Sequence, residues 1–199
     1  MPHRSYAERA RRTSCFIWTA AIFCATLATA VILAGLVVLI IYFIYQPKSP
    51  YLKMGDAKLL RLDYDQSGTL STQLQITIFA VNDNIKTNAA FYNLRLHLLF
   101  QNVEIAELQA APFVVPKNNS IPLGYDVQST PIPLDSGSMS AVDSALKNRE
   151  IPFFLTGKAR TRWRLGSLYS VGLWAHLSCQ MKFFWPNGST VSMECNSGG

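Results

Sequence analysis

The chain has 199 residues, 49% of them hydrophobic, with 18 Lys and Arg against 12 Asp and Glu for a formal net charge of +6. That excess is divided evenly: residues 1–14 carry +3, and the 154 residues from Gln46 onward carry +3 from 14 basic and 11 acidic side chains. The pI of about 9.3 is therefore shared by a basic head and a mildly basic domain, and no nucleic-acid partner is expected. No repeat or low-complexity tract is present, and 154 residues suffice for one domain with a hydrophobic core.

After the basic head at 1–14, residues 15–45 contain no charged side chain. About 20 apolar residues span a bilayer core as a helix, so this run predicts a transmembrane segment. Trp18 at one end and Tyr42 and Tyr45 at the other suit the two interfacial belts. Arg4, Arg9, Arg11 and Arg12 against Glu8 hold the head in the cytosol, which sends the rest across the membrane. Ala28-Thr29-Ala30 resembles a cleavage site, but the apolar run continues well past it, so a retained signal-anchor of type II is expected. Cys15 reads either as a juxtamembrane palmitoylation site beside Arg11 and Arg12 or as a small helix residue. Ala21 and Ala25 form a weak small-xxx-small pair. Pro47 and Pro50 stiffen a stalk at 46–55, leaving 56–196 as the folded domain.

That domain reads as antiparallel strands. Across 70–80, Leu70, Thr72, Leu74, Ile76, Ile78 and Ala80 alternate with polar residues; across 91–100, Leu94, Leu96, Leu98 and Phe100 do the same. Shorter strands are expected at 59–64, 103–108, 120–127 and 151–163, followed by a final pair. One helix is expected at 138–147, capped by Ser138, with Met139, Val142 and Leu146 on one face. Many short strands with frequent turns indicate a mainly β fold, a β-sandwich. Two sequons, at Asn118 and Asn187, lie on the translocated side and are candidate glycosylation sites.

The last pair fixes a register. Trp185-Pro186-Asn187-Gly188-Ser189 suits a type I turn in a three-residue hairpin loop pairing 185 with 189. In that register Cys179 faces Cys195, and Leu173, Ala175, Leu177, Met181 and Phe183 share their face with Val191 and Met193. A directly opposed pair lies within disulfide range. The alternative to a Cys179–Cys195 bridge is two buried free thiols.

Gly157-Lys-Ala-Arg-Thr-Arg-Trp-Arg-Leu-Gly166, Tyr169-Ser-Val-Gly172, His176-Leu-Ser-Cys179-Gln and Cys195 resemble a plant family, the non-race-specific disease resistance/harpin-induced-like proteins. The outer domain of that family belongs to late-embryogenesis-abundant group 2. The resemblance covers the whole chain. It implies a plasma-membrane protein with an immunoglobulin/fibronectin-like sandwich and a role in defence or abiotic stress. Where that family reads Asn-Pro-Asn and later Ile-Tyr-Tyr-Asp, this chain has Asn82-Asp83-Asn84 and Ala90-Phe91-Tyr92-Asn93. Asn196-Ser197-Gly198-Gly199 has no hydrophobic tail, so the lipid-anchor signal of some relatives is expected to be absent.

Chemistry is sparse. His3, His97 and His176 show no metal-ligand spacing, and neither a nucleophile motif nor a phosphate-binding glycine pattern is present. Asp63 and Asp65 read as a solvated turn rim rather than an acid–base pair. Neither enzymatic activity nor a cofactor is therefore expected. One constellation stands out: Lys158, Arg160, Arg162 and Arg164 at strict i, i+2 spacing, which a strand projects from one face. It is either a solvated face that resists edge pairing or a ladder for an anionic partner: wall polysaccharide, anionic lipid or an acidic protein surface. Two functions follow: a membrane-anchored interaction protein that docks other membrane or extracellular proteins, or a module that binds lipid or wall polymer. An apolar tunnel between the sheets would favour the second, a filled sandwich the first.

Overall fold

The computed structural model describes residues 15–45, 48–65, 67–165 and 169–198. The chain divides into two units, Met1–Gln46 and Pro47–Gly199. The first unit contains α1, Cys15–Tyr45, with the bounds that the charge-free run predicts. Its stretch Ile17–Ile40 is long and apolar enough to cross a membrane, and none of it is buried. Two hydroxyls inside this stretch bond to the helix itself: Thr26 Oγ1 donates to Phe23 O at 2.9 Å and Thr29 Oγ1 to Ala25 O at 2.8 Å. Neither side chain thus brings an unpaired donor to an apolar surrounding.

The second unit is mainly β. One antiparallel sheet has β1 (Tyr51–Tyr64), β2 (Thr69–Asn82) and β6 (Asn119–Gln128) in that order, with the short β7 (Ile132–Pro133) on β2. The other runs β10 (Ser189–Gly198), β9 (Tyr169–Phe184), β8 (Glu150–Leu165), β3 (Ala89–Phe100), β4 (Val103–Ala110), with β5 (Phe113–Val115) on β3. Inner faces of both sheets feed one core, in which Phe153 lies 5.6 Å from Phe100 and 5.8 Å from Phe183 between ring centroids. The sheets are also tied at the β9–β10 loop: Leu59 N donates to Gly188 O at 3.0 Å, and Thr190 Oγ1 to Ala57 O at 2.5 Å.

In β2 every even residue from Leu70 to Asn82 is buried, as the alternation predicts. β1 begins at Tyr51, well before the predicted start at 59, and so takes up part of the stretch read as a stalk. Register shifts between Met54 and Ala57 and between Leu59 and Arg61 flip its buried phase twice, which hides most of the strand from a period-two reading. β3 flips once. Phe91 and Leu94 are both buried because Asn93, at φ 52°, sits in a bulge between Tyr92 and Arg95.

The helix α2 spans Ser136–Asn148, longer than expected, and its cap is Asp135 rather than Ser138. Asp135 Oδ1 accepts from Ser138 N at 2.7 Å, so Ser138 supplies the donor and is itself buried. That backbone bond, with a side-chain bond from the same residue, holds the Asp135 carboxyl below the usual carboxylate range. Asp135 thus favours the fold above its unfolded pKa and loses that contribution as pH falls through the folded one.

The last hairpin reaches the predicted pairing by another route. Its loop has four residues, 185–188, with a cis peptide before Pro186, and Phe184 rather than Trp185 pairs with Ser189. A shift between Thr190 and Ser192 then inserts Val191, which is half exposed instead of sharing the buried face. Beyond this bulge Lys182 faces Ser192, Gln180 faces Glu194, and Cys179 faces Cys195. The cysteines are joined, with Cα atoms 4.1 Å apart.

Candidate functional site

The predicted ladder lies on β8. Lys158, Arg160, Arg162 and Arg164 are exposed on the outer face, while Ala159, Thr161 and Trp163 are buried on the inner one. Register with the neighbouring strands supplies what the sequence does not show. Arg160 has Tyr92 beside it on β3 and Trp174 on β9; Lys158 has Arg95 and His176; Arg162 has Ala90 and Gly172. The Lys158 Nζ sits 4.8 Å from the Trp174 ring centroid, and the Arg160 guanidinium 5.7 Å. Over Tyr92 lie Arg160 at 5.9 Å and Arg162 at 5.7 Å. Stacked like charges would repel along a strand, and here two aromatic faces separate and attract them.

Three acids of this sheet pair with other basic side chains. Glu107 meets Arg95 at 3.8 Å, Glu104 meets His97 at 3.0 Å, and Glu150 meets Lys182 at 3.8 Å. Among the described residues none of the four ladder cations has an acidic partner. The ladder ends beside a hollow of about 540 Å³ lined by Thr87, Asn88, Ala90, Val114 and residues 162–164. Among the described residues the buried Trp163 Nε1 has no hydrogen-bond partner, nor has the Tyr92 hydroxyl further along the strip. A hollow of about 210 Å³ on the other sheet also holds an arginine, but Asp63 pairs with that Arg61 at 2.5 Å. The β8 face thus carries four cations that the described acids leave unneutralised.

Other predicted positions are separate from this face. Cys15 opens α1, and its side chain lies outside the described residues, as does His3. Asn118 and Asn187 are both exposed; Asn187 Oδ1 accepts from Ser189 N and Oγ at 2.8 and 2.7 Å. Asp65 accepts from Ser67 and Thr69, which lowers its carboxyl pKa, the Ser67 hydroxyl contributing most. This is the turn rim expected of it.

The departing motif has a structural task. Asn82 is fully buried, and its Nδ2 lies 2.9 Å from Thr87 O, 3.2 Å from Val115 O and 3.1 Å from Pro116 O. Its Oδ1 accepts from Asn84 N and Nδ2, and Asn84 in turn exchanges bonds with both backbone groups of Lys48. The two asparagines hold the entering chain to the end of the sheet, with Asp83 between them. Only sequence comparison singles this motif out.

An apolar helix followed by a disulfide-bearing antiparallel sandwich with a cationic–aromatic strip defines the class of this protein. No family model matches the chain. It is 21% identical over 164 residues, 81% of this chain and 78% of the relative, to NDR1/HIN1-like protein 12 of Arabidopsis thaliana. The chain is a distant relative of that family, in agreement with the resemblance carried by its last sixty residues. A crystal structure of an Archaeoglobus fulgidus protein covers 66% of this chain and 97% of its own at a TM-score of 0.30 and 9% identity, too low to argue from.

Proposed function

We propose that this is a single-pass, type II, non-enzymatic membrane protein of plant defence or abiotic-stress response, whose β-sandwich is a docking surface for an anionic partner. The domain is read as late-embryogenesis-abundant group 2, on the extracellular side of the plasma membrane. One observation carries the docking reading: four exposed cations on β8, none with an acidic partner among the described residues, with Lys158, Arg160 and Arg162 lying over the rings of Tyr92 and Trp174. The side of the membrane rests on the head's arginines. Protease added to intact cells should remove an epitope placed after Gly199 and spare one placed before Met1; the opposite result overturns the orientation.

Docking is tested on the ladder itself. Changing Lys158, Arg160, Arg162 and Arg164 to Ser should weaken capture of a verified native partner by roughly tenfold or more, with the melting temperature little changed. Wild-type binding should also weaken with added salt, since exposed charges are screened beyond about 8 Å at physiological ionic strength. Unchanged affinity and salt dependence in the quadruple variant would reduce the ladder to a solvated face. The alternative module for lipid or anionic wall polymer uses the same cations. The apolar residues between the sheets form one packed cluster, and this supports docking on the outer face over a lipid tunnel.

A further inference from the structure

Sheet edges expose unpaired backbone groups, and proteins blunt them with charge, proline or bulges. Four edges here follow that rule. β1 has Lys53, Lys58 and Arg61 with two register shifts, β4 has Glu104 and Glu107, β6 has Pro122 and Asp126, and β10 has Glu194 and the Val191 bulge. The first half of β9 does not. β10 stops pairing at Gly198 opposite His176, so residues 170–175 have β8 on one side and no described strand on the other. This stretch reads Ser-Val-Gly-Leu-Trp-Ala, without a charge or a proline, and its register with β8 is unbroken. Leu173 and Trp174 are 41% and 40% exposed.

The disulfide tells which backbone groups point outward. A 4.1 Å Cα separation marks Cys179 and Cys195 as the close kind of antiparallel pair, which exchanges no backbone hydrogen bonds. Cys179 therefore turns its N–H and C=O toward β8. Stepping by two along the regular strand, Val171, Leu173 and Ala175 do likewise, while Ser170, Gly172 and Trp174 present theirs at the open edge. Beside that edge lean the cations: Lys158 and Arg160 both reach across to the Trp174 ring.

We propose that the open edge of β9 accepts an extended acidic strand from a partner protein, added antiparallel as a continuation of the β10 ladder. The proposal rests on the docking reading above and names the partner's form. An added strand lies about 4.8 Å beyond β9. Residues opposite Gly172 and Trp174 share the outer face with the ladder, where an acidic side chain opposite Trp174 meets Lys158 and Arg160 over that ring and one opposite Gly172 lies in line with Arg162. The intervening residues fall on the inner face beside Val171 and Leu173 and are apolar. Backbone bonds give affinity and the alternating side chains specificity. A second copy of this chain fits poorly, since joining two β9 edges brings two cationic ladders together.

The test uses full-length protein in nanodiscs of neutral lipid and a labelled, end-capped nonapeptide of alternating glutamate and valine, with binding read by fluorescence anisotropy. The peptide should bind, and its lysine–valine counterpart should not. N-methylation of the glutamate nitrogens, which face Gly172 and Trp174 in this register, should weaken binding at least tenfold; N-methylation of the valine nitrogens should change it little. Gly172→Pro should weaken it similarly. Absence of binding by the unmodified peptide, or equal binding by the glutamate-methylated one, overturns strand addition and leaves ladder docking standing. If binding keeps its methylation pattern but is unchanged in the quadruple Ser variant, the ladder reading fails and, with it, the acidic partner. Sedimentation showing a dimer that Gly172→Pro disperses would assign the edge to a second copy instead.

Discussion

Asn82→Ala is expected to destabilise the sandwich by about 2–4 kcal/mol, because it strips partners from several buried backbone groups at once. Asn82 is 0% exposed. Its amide serves Thr87, Val115 and Pro116 carbonyls, and its oxygen serves the Asn84 N–H and amide. Alanine leaves the buried Val115 carbonyl and Asn84 N–H without this partner, and Asn84 loses the neighbour that orients it toward Lys48. For a domain of this size the loss should lower the melting temperature by roughly 5–15 °C. Asn82→Asp should fail almost as badly, since a carboxylate cannot donate to the three carbonyls. Asn84→Ala, with fewer bonds, should cost about half as much. Thermal unfolding followed by the β-sheet circular dichroism signal measures all three. A shift under 2 °C for Asn82→Ala would mean that the loop closes without its asparagine.

How far the sequence reveals this molecule depends on where its strands are regular. β2 has no bulge, so alternation alone yields its buried face. Each bulge in β1 and β3 reverses the phase, and the eye reads the reversal as the end of a strand. In the last hairpin a loop one residue longer than expected and a compensating bulge at Val191 cancel, so the cysteine pairing follows from a turn drawn differently. The helix cap is missed for a chemical reason: Asp135 and Ser138 both suit a cap, and only the hydrogen bond shows which one accepts. The ladder is legible from spacing within one strand. Tyr92 and Trp174 are not, because they come from β3 and β9, and which rings stand beside which cations is a matter of register between strands distant in sequence.

Gly188→Ala should cost more than any surface substitution in the domain, because this glycine packs directly on the backbone of the other sheet. A Cβ there would lie 1.7 Å from Leu59 O and 2.8 Å from Leu59 C, and the residue sits at φ +70°. The left-handed backbone alone disfavours a side chain by about 1–2 kcal/mol. The collision adds to that by driving the loop off β1 and removing the Leu59 N–H bond to Gly188 O and the Thr190 bond to Ala57 O. A total of about 3–5 kcal/mol is expected, with amide exchange at Leu59 losing its protection first. Two controls separate this from other effects. Gly124→Ala meets nothing within 4 Å and should leave the melting temperature within a few degrees. The sequon Asn187-Gly188-Ser189 survives Gly188→Ala, whereas Ser189→Ala abolishes it and keeps the contact with Leu59. If Gly188→Ala melted like the wild type with Leu59 still protected, the docking of the hairpin on β1 would not be what holds the two sheets together at this end.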